Sequence, residues 1–96
     1  MSELVPYGLS WSGRVIDELK RSTVRARDRG RGAEWLSALK ELEHRLRIYP
    51  QFGEPLRDLT VDGAQEWIGV VGPLAVRYIL DESTRQVHVV HPIMEL

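Results

Sequence analysis

The stretch QEWIGVVGPLAVRYILDESTRQVHVVHPI, residues 65–93, decides the fold, because its apolar residues alternate with a period of two. It divides into three strand candidates, Gln65–Val71, Leu74–Asp81 and Gln86–Ile93. Their short connections can join only antiparallel neighbours, since a parallel return needs a crossover of about a dozen residues. The stretch therefore predicts an antiparallel meander.

Symmetric turns at Gly72–Pro73 and at Ser83–Thr84 predict the register of this meander and its two faces. They pair Trp67 with Tyr78 and Tyr78 with Val89 on one strongly apolar face. The same parity adds to this face Val71, Leu74, Val76, Leu80, Val87, His91 and Ile93. We expect helices to dock here and His91 to be packed in the core.

The opposite face carries the candidate site. Glu66 and His88 lie in one row across Ile79, and Arg77 is diagonal to both, at roughly 7–8 Å between α-carbons. Such a trio can hold a phosphodiester, with His88 as acid or base, Arg77 stabilising negative charge and Glu66 accepting or orienting a proton. Solvation of an outer sheet face requires the same residue types, so both interpretations stay open.

Upstream of the meander, one strand precedes two helices. The segment LVPYGLSW, residues 4–11, alternates again, and Pro6 favours an edge position or a late start. Ser12 is a predicted N-cap for a helix over Gly13–Arg27. RDRGRG, residues 27–32, interrupts the helical spacing, because glycine disfavours helix by about 1 kcal/mol relative to alanine.

The second helix is predicted by one apolar stripe, which ends where Pro50 cannot continue a helix. The stripe consists of Trp35, Leu39, Leu42, Leu46 and Tyr49. Its aromatic residues, like Trp67 and Tyr78, are expected to point inward. Pro55–Val61 is a fourth strand candidate. We therefore predict an α+β fold in one domain over residues 1–96: an N-terminal strand, a two-helix hairpin and a three- to four-stranded antiparallel meander.

Composition excludes several classes of protein. The chain of 96 residues is 43% apolar and 28% charged, which is typical of globular proteins, and no apolar run is long enough to span a membrane. The N-terminus lacks the pattern of a secretory signal, so we expect a cytoplasmic protein. The absence of cysteine excludes disulfides and thiolate chemistry, and His44, His88 and His91 do not form a helical ligand pair. We predict no metal and no cofactor.

Charge is uneven along the chain. Residues 1–49 carry ten basic and seven acidic side chains, whereas residues 50–96 carry three and seven. The densest basic run, KRSTVRARDRGRG at Lys20–Gly32, is interpreted as a solvated helix face and connector rather than a phosphate contact.

Three segments resemble the RelE/ParE superfamily of toxins from type II toxin–antitoxin systems. LRIYPQFGEPLRDL, residues 46–59, is similar to the family's helix end, proline–glycine turn and strand entry. VGPLAVRYILDE, residues 71–82, resembles its central hairpin, and QVHVVHPI, residues 86–93, its closing strand. The resemblance covers nearly the whole chain as topology and is specific over about Tyr49–Ile93.

This resemblance implies a helical hairpin on one side of an antiparallel sheet, a concave opposite face and a cognate antitoxin as partner. It implies one of two activities. RelE-like members are endoribonucleases that cleave messenger RNA on the ribosome by making the 2′-hydroxyl attack the neighbouring phosphate, whereas ParE-like members inhibit DNA gyrase. The alternative to an enzyme is therefore a gyrase inhibitor or a degenerate toxin-fold protein held by its antitoxin.

The family's catalytic residues match this sequence by type. Its central-strand arginine falls on Leu74 when Asp81–Glu82 is aligned, and on Arg77 when the motif is shifted. The lysines and the C-terminal basic and tyrosine residues of some nucleases are absent. Other relatives use glutamate, arginine and histidine, to which Glu66, Arg77 and either His88 or His91 correspond.

Overall fold

The computed structural model describes residues 5–56 and 64–96, and it contains the predicted meander. The chain forms β1 (Gly8–Trp11), α1 (Gly13–Asp28), α2 (Gly32–Ile48), a 3-10 helix (Pro50–Phe52), β2 (Glu54–Pro55), β3 (Ala64–Val71), β4 (Leu74–Asp81), β5 (Gln86–Val89) and β6 (Met94–Glu95). This order confirms the predicted α+β class. The strand candidate Pro55–Val61 begins in β2, and its residues 57–61 lie outside the described residues.

The strands form one sheet in the order β1-β5-β4-β3-β2, with β6 also paired to β4. The pair Trp67↔Tyr78 and the row through Glu66, Ile79 and His88 confirm the predicted register. Neighbouring strands from β2 to β5 are antiparallel to each other, whereas β1 runs parallel to β5. The position of β1 at the edge agrees with the presence of Pro6 just before it.

Local chemistry accounts for both ends of α1. The Ser12 hydroxyl accepts a hydrogen bond from the Val15 amide at 3.3 Å and so caps α1. At its other end, Gly30 adopts a φ of +74°, which is costly for a residue with a β-carbon. The Arg31 amide then donates to the Ala26 carbonyl at 2.8 Å, as in a Schellman motif. The interruption at RDRGRG is therefore a tight turn between two helices.

The hydrophobic core lies between the helical hairpin and one face of the sheet. Helix residues Val15, Ala26, Trp35, Ala38, Leu42 and Leu46 pack with Val71, Leu74, Val76, Tyr78, Leu80, Val87 and Val89 from the strands. The helices are joined by the Trp35 indole, whose Nε1 donates to the Thr23 hydroxyl at 2.9 Å. This arrangement confirms the predicted core face over β3, β4 and β5.

Two predicted positions differ in the structure. Tyr49 is 59% exposed and not inward, because α2 ends at Ile48 and the next residue leaves the helical path before Pro50. His91 is exposed and not packed in the core, because β5 ends at Val89 instead of continuing to Ile93. Both errors arise from extending a regular period past the end of its element.

In the described ranges 5–56 and 64–96, no helix has the length and apolar character needed to cross a membrane.

Candidate active site on the open sheet face

Glu66 on β3 and Arg77 on β4 form the centre of the open face, the sheet face turned away from the helices. The Arg77 Nη2 atom lies 2.6 Å from Glu66 Oε1, and Nε donates to the same oxygen at 2.9 Å. Their side chains are 41% and 35% exposed, so a substrate can reach them. The diagonal predicted from strand parity is therefore an ion pair.

His91 approaches this pair from the chain that follows β5. Its Nε2 atom lies 3.7 Å from Glu66 Oε1, the oxygen that Arg77 contacts. We call these three residues the Glu66–Arg77–His91 cluster. It brings together a carboxylate, a guanidinium and an imidazole.

A bulge between β5 and β6 places His91 here. Ile79 pairs with His88, and Ala75 pairs with Met94. Four steps along β4 thus correspond to six steps along the partner chain, so two extra residues are accommodated between the paired strands. The pleat is interrupted at residues 90–93, and the imidazole leaves the core face that parity assigned to it.

His88 is held elsewhere on the same face. It lies in the predicted row with Glu66 across Ile79, but its Nδ1 atom contacts the Ser10 hydroxyl oxygen at 2.6 Å. Ser10 reaches it because β1 is paired in parallel with β5. The structure therefore joins Glu66 and Arg77 to His91, and joins His88 to Ser10.

The cluster has the groups needed for acid–base chemistry on a phosphodiester. A carboxylate and an imidazole can accept or donate protons, and a guanidinium can stabilise charge that develops on phosphate oxygens. An ion pair this exposed contributes about 1 kcal/mol or less to stability, so an incoming phosphate can compete for Arg77. Among the described residues, no group of three histidine or acidic side chains has the geometry of a metal site.

An apolar row borders the cluster on the same face. Val70 pairs with Ala75, which pairs with Met94. Val70 is 52% exposed and Met94 46% exposed, while Ala75 is covered between them. Met94 and Ser10 were not among the sequence-predicted site residues, because Met94 lies past the predicted end of the last strand and Ser10 is placed by the parallel pairing of β1 with β5.

The pKa values of two neighbouring groups are shifted. Burial raises the pKa of the Tyr78 phenol, although a hydrogen bond with the Gly53 backbone acts in the opposite direction. The Ser83 hydroxyl, which hydrogen-bonds the Asp81 carboxylate in the β4–β5 turn, lowers the pKa of that carboxyl, and Thr84 adds to the effect. Both residues lie in β4, the strand that carries Arg77.

Comparison with solved structures identifies the fold. The chain is similar to a chain in the crystal structure of the RelBE2 toxin–antitoxin complex from Mycobacterium tuberculosis, with a TM-score of 0.64 and 17% sequence identity. The match covers 100% of this chain and 98% of the other. The chain has a RelE-like fold. No protein-family model matches the sequence, and no curated protein matches it significantly.

The RelE-like fold accounts for the different roles of the two sheet faces. The helical hairpin covers one face and supplies the core, so the other face stays open to partners. The Glu66–Arg77–His91 cluster lies on that open face of the RelE-like fold.

Proposed function

We propose that this chain is the toxin of a type II toxin–antitoxin system and cleaves messenger RNA through Glu66, Arg77 and His91. The observation that carries the proposal is the contact of both Arg77 and His91 with one Glu66 oxygen on the open face of a RelE-like fold. The proposed target places the protein in the cytoplasm, with a cognate antitoxin as its protein partner.

Each member of the cluster has a defined role in this reaction. Glu66 accepts the proton of the attacking 2′-hydroxyl, and Arg77 moves from the carboxylate to the phosphate to stabilise the charge on its equatorial oxygens. His91 donates a proton to the departing 5′-oxygen. The products are a 2′,3′-cyclic phosphate and a free 5′-hydroxyl, so no metal or cofactor is required by this chemistry.

Induced expression in bacteria tests the proposal. The wild-type chain is expected to arrest growth and to produce translation-dependent cuts in messenger RNA, mapped by primer extension. Arg77→Ala should lower the cleavage rate by about 10²-fold or more, since a charge stabiliser of the transition state is lost. Arg47→Ala is the matched control, because this arginine is also paired with a glutamate and is 44% exposed, but on α2.

Variants of the two histidines distinguish the Glu66–Arg77–His91 cluster from the predicted row of Glu66, Ile79 and His88. His91→Gln should reduce cleavage by about 10²-fold, as expected for loss of a general acid. His88→Gln should retain most of the activity, because its imidazole is held by Ser10 and not by Glu66. Intact transcripts during growth arrest would exclude the nuclease, and cleavage that survives Arg77→Ala would exclude the role assigned to Arg77.

A binder without catalytic activity is the second candidate. Two observations favour it: Arg77 gives two nitrogens to a single Glu66 oxygen, and residues 50–96 carry three basic against seven acidic side chains. Polyanions such as ribosomal RNA reward clustered basic charge, which this half lacks. In this case Arg77→Ala leaves toxicity unchanged, and DNA supercoiling by purified gyrase is inhibited if the ParE-like alternative is correct.

The antitoxin partner has its own test. A short reading frame beside the gene should encode a protein that co-purifies with this chain and restores growth. Failure of any neighbouring product to bind or to restore growth would argue for a toxin-fold protein outside such a system.

A further inference from the structure

His91 lies in a short irregular segment, residues 90–93, between β5 and β6. It belongs to neither strand, and Pro92 after it has no amide hydrogen with which to join the sheet. The position of the imidazole beside Glu66 is therefore set by the two strands that hold the ends of this segment.

The two strands hold the segment unequally. β5 has four residues and pairs with β4 on one side and with β1 on the other. β6 has two residues, both of which pair with β4. The Leu96 amide adds one hydrogen bond to the Pro73 carbonyl oxygen at 2.7 Å. We therefore expect β6 to be the weaker of the two anchors of His91.

One ion pair fastens β6 to the helical hairpin. Glu95 faces the helices because it pairs with the buried Leu74. Its Oε1 atom lies 2.7 Å from Arg31 Nη2. Arg31 belongs to the tight turn between α1 and α2, where its own amide donates to the Ala26 carbonyl at 2.8 Å. The ion pair thus joins the weaker anchor of His91 to a fixed point on the helix side of the sheet.

A cavity of about 180 Å³ beside this ion pair leaves β6 incompletely packed against the helices. It is lined by Ile93, Glu95 and Trp35 together with Ser22, Ala26, Arg25, Arg29 and Arg31. Van der Waals contacts are lost wherever side chains do not fill the space, so they hold this end of the sheet only in part. The contact between Arg31 and Glu95 therefore has more weight here than an exposed ion pair on the surface of a helix.

We propose that Arg31 and Glu95 are positioning residues, whose ion pair keeps the His91 imidazole beside Glu66. Neither residue touches the substrate, and both act through β6 and the segment 90–93. Without the ion pair, β6 separates from β4 more often, and His91 leaves Glu66 when it does. The expected effect on cleavage rests on the proposed nuclease function, whereas the effect on the position of His91 does not.

Steady-state cleavage of a defined messenger in a purified translation system tests the catalytic consequence. Glu95→Gln should lower kcat about fivefold, the factor that an ion pair of this exposure supplies. KM should stay unchanged, because Arg77 still binds the phosphate. Glu43→Gln is the matched control, since it breaks the Arg47–Glu43 ion pair on α2 and should leave kcat unchanged.

Two comparisons separate positioning from a general loss of stability. Arg31→Lys should retain most of the rate and Arg31→Ala should lose as much as Glu95→Gln, because the ammonium group keeps the charge opposite the carboxylate. In a His91→Gln background, Glu95→Gln should cause no further loss, since two residues that act through one group are not additive. Thermal unfolding should confirm that all variants remain folded.

NMR of the histidine rings tests the structural step without RNA. Glu66→Gln should shift the ring signals of His91, because Nε2 lies 3.7 Å from the Glu66 carboxylate. In a Glu95→Gln background the same substitution should shift them less, since the imidazole spends less time beside residue 66. The ring signals of His44, which lies on α2, are the internal control and should not respond.

Three results would overturn the proposal. Equal kcat of the wild type and Glu95→Gln would exclude a contribution to catalysis, and a further loss of rate in the His91→Gln background would show that Glu95 acts by another route. An equal NMR response to Glu66→Gln with and without Glu95 would exclude any effect on His91. If the wild type leaves messenger RNA intact, the nuclease is excluded instead, and the NMR comparison decides whether the ion pair positions His91.

Discussion

Tyr78 connects the centre of the sheet to the segment that follows α2. Its side chain is fully buried, and its ring stacks on Phe52 with the centroids 6.1 Å apart. Its hydroxyl donates to the Pro50 carbonyl oxygen at 2.5 Å. Because burial favours the neutral phenol, the pKa of Tyr78 is raised above its ordinary value near 10.

The raised pKa of Tyr78 predicts alkaline destabilisation. Above pH 10 the unfolded chain loses the phenolic proton while the folded chain keeps it, so the free energy of unfolding falls as pH rises toward the folded pKa. Tyr78→Phe should cost about 1–3 kcal/mol near neutral pH, by leaving the Pro50 carbonyl unpaired, and should flatten the alkaline decline. Urea unfolding at several pH values measures both effects.

The control for this prediction is Tyr49→Phe, which changes a tyrosine that is 59% exposed. It should leave stability near neutral pH almost unchanged and keep the alkaline decline. Parallel stability curves for the wild type and Tyr78→Phe would contradict the assignment.

The residues of the site show where the alternation of side chains along a strand predicts a position correctly and where it does not. The Glu66–Arg77 diagonal could be predicted because both residues lie inside long, regular strands. The choice between His88 and His91 could not, because it depends on a bulge after Val89. Alternation carries no information about the residue at which pairing stops.

At the scale of elements, the 3-10 helix after α2 covers the part of the core that the long helices leave open. Phe52 lies over Gly69 of β3, where a β-carbon would come within 2.5 Å of its ring. Gly53 approaches the same strand so closely that a β-carbon there would lie 2.3 Å from the Ile68 carbonyl oxygen. These two glycines allow the segment to pack against the sheet.

Gly53→Ala should therefore destabilise the protein. The added methyl would also lie 2.7 Å from the Tyr78 hydroxyl, so the backbone must shift and the hydrogen bond to Pro50 is disturbed. We expect a loss of about 1–3 kcal/mol in the free energy of unfolding, measured by urea denaturation. Gly13→Ala is the control, since a β-carbon there meets nothing within 4 Å. Equal stability of the two variants would show that the close approach is not maintained.

At the scale of the whole molecule, pairing is concentrated on β4. This strand pairs with β3 along one edge and with β5 and β6 along the other. β6 contributes two residues to the sheet, and the Arg31–Glu95 ion pair is partly exposed. We therefore expect β6 to be held less strongly than β3, β4 and β5.

Hydrogen exchange followed by mass spectrometry should reveal this difference in stability between β4 and β6. Amides of β4 are expected to exchange only through the most extensive unfolding, and those of β6 through local opening. Glu95→Gln should accelerate exchange in β6 without changing β4, because it removes the ion pair to Arg31. Exchange in β6 that is as slow as in β4 would contradict this order.

The sequence by itself determined the two helices, the strands β1, β3, β4 and β5, and the register of the long strands. Helical and strand periods, the Ser12 cap and the turns at Gly30 and Gly72 are local signals, which act within a few residues of the position they specify. Only the tertiary structure decided three features: the parallel pairing of β1 with β5, the bulge that brings His91 to Glu66, and the cavity lined by Arg25, Arg29 and Arg31. Each depends on contacts between segments far apart in the chain, whose relative placement is set by packing of the common core and not by the period of any one segment.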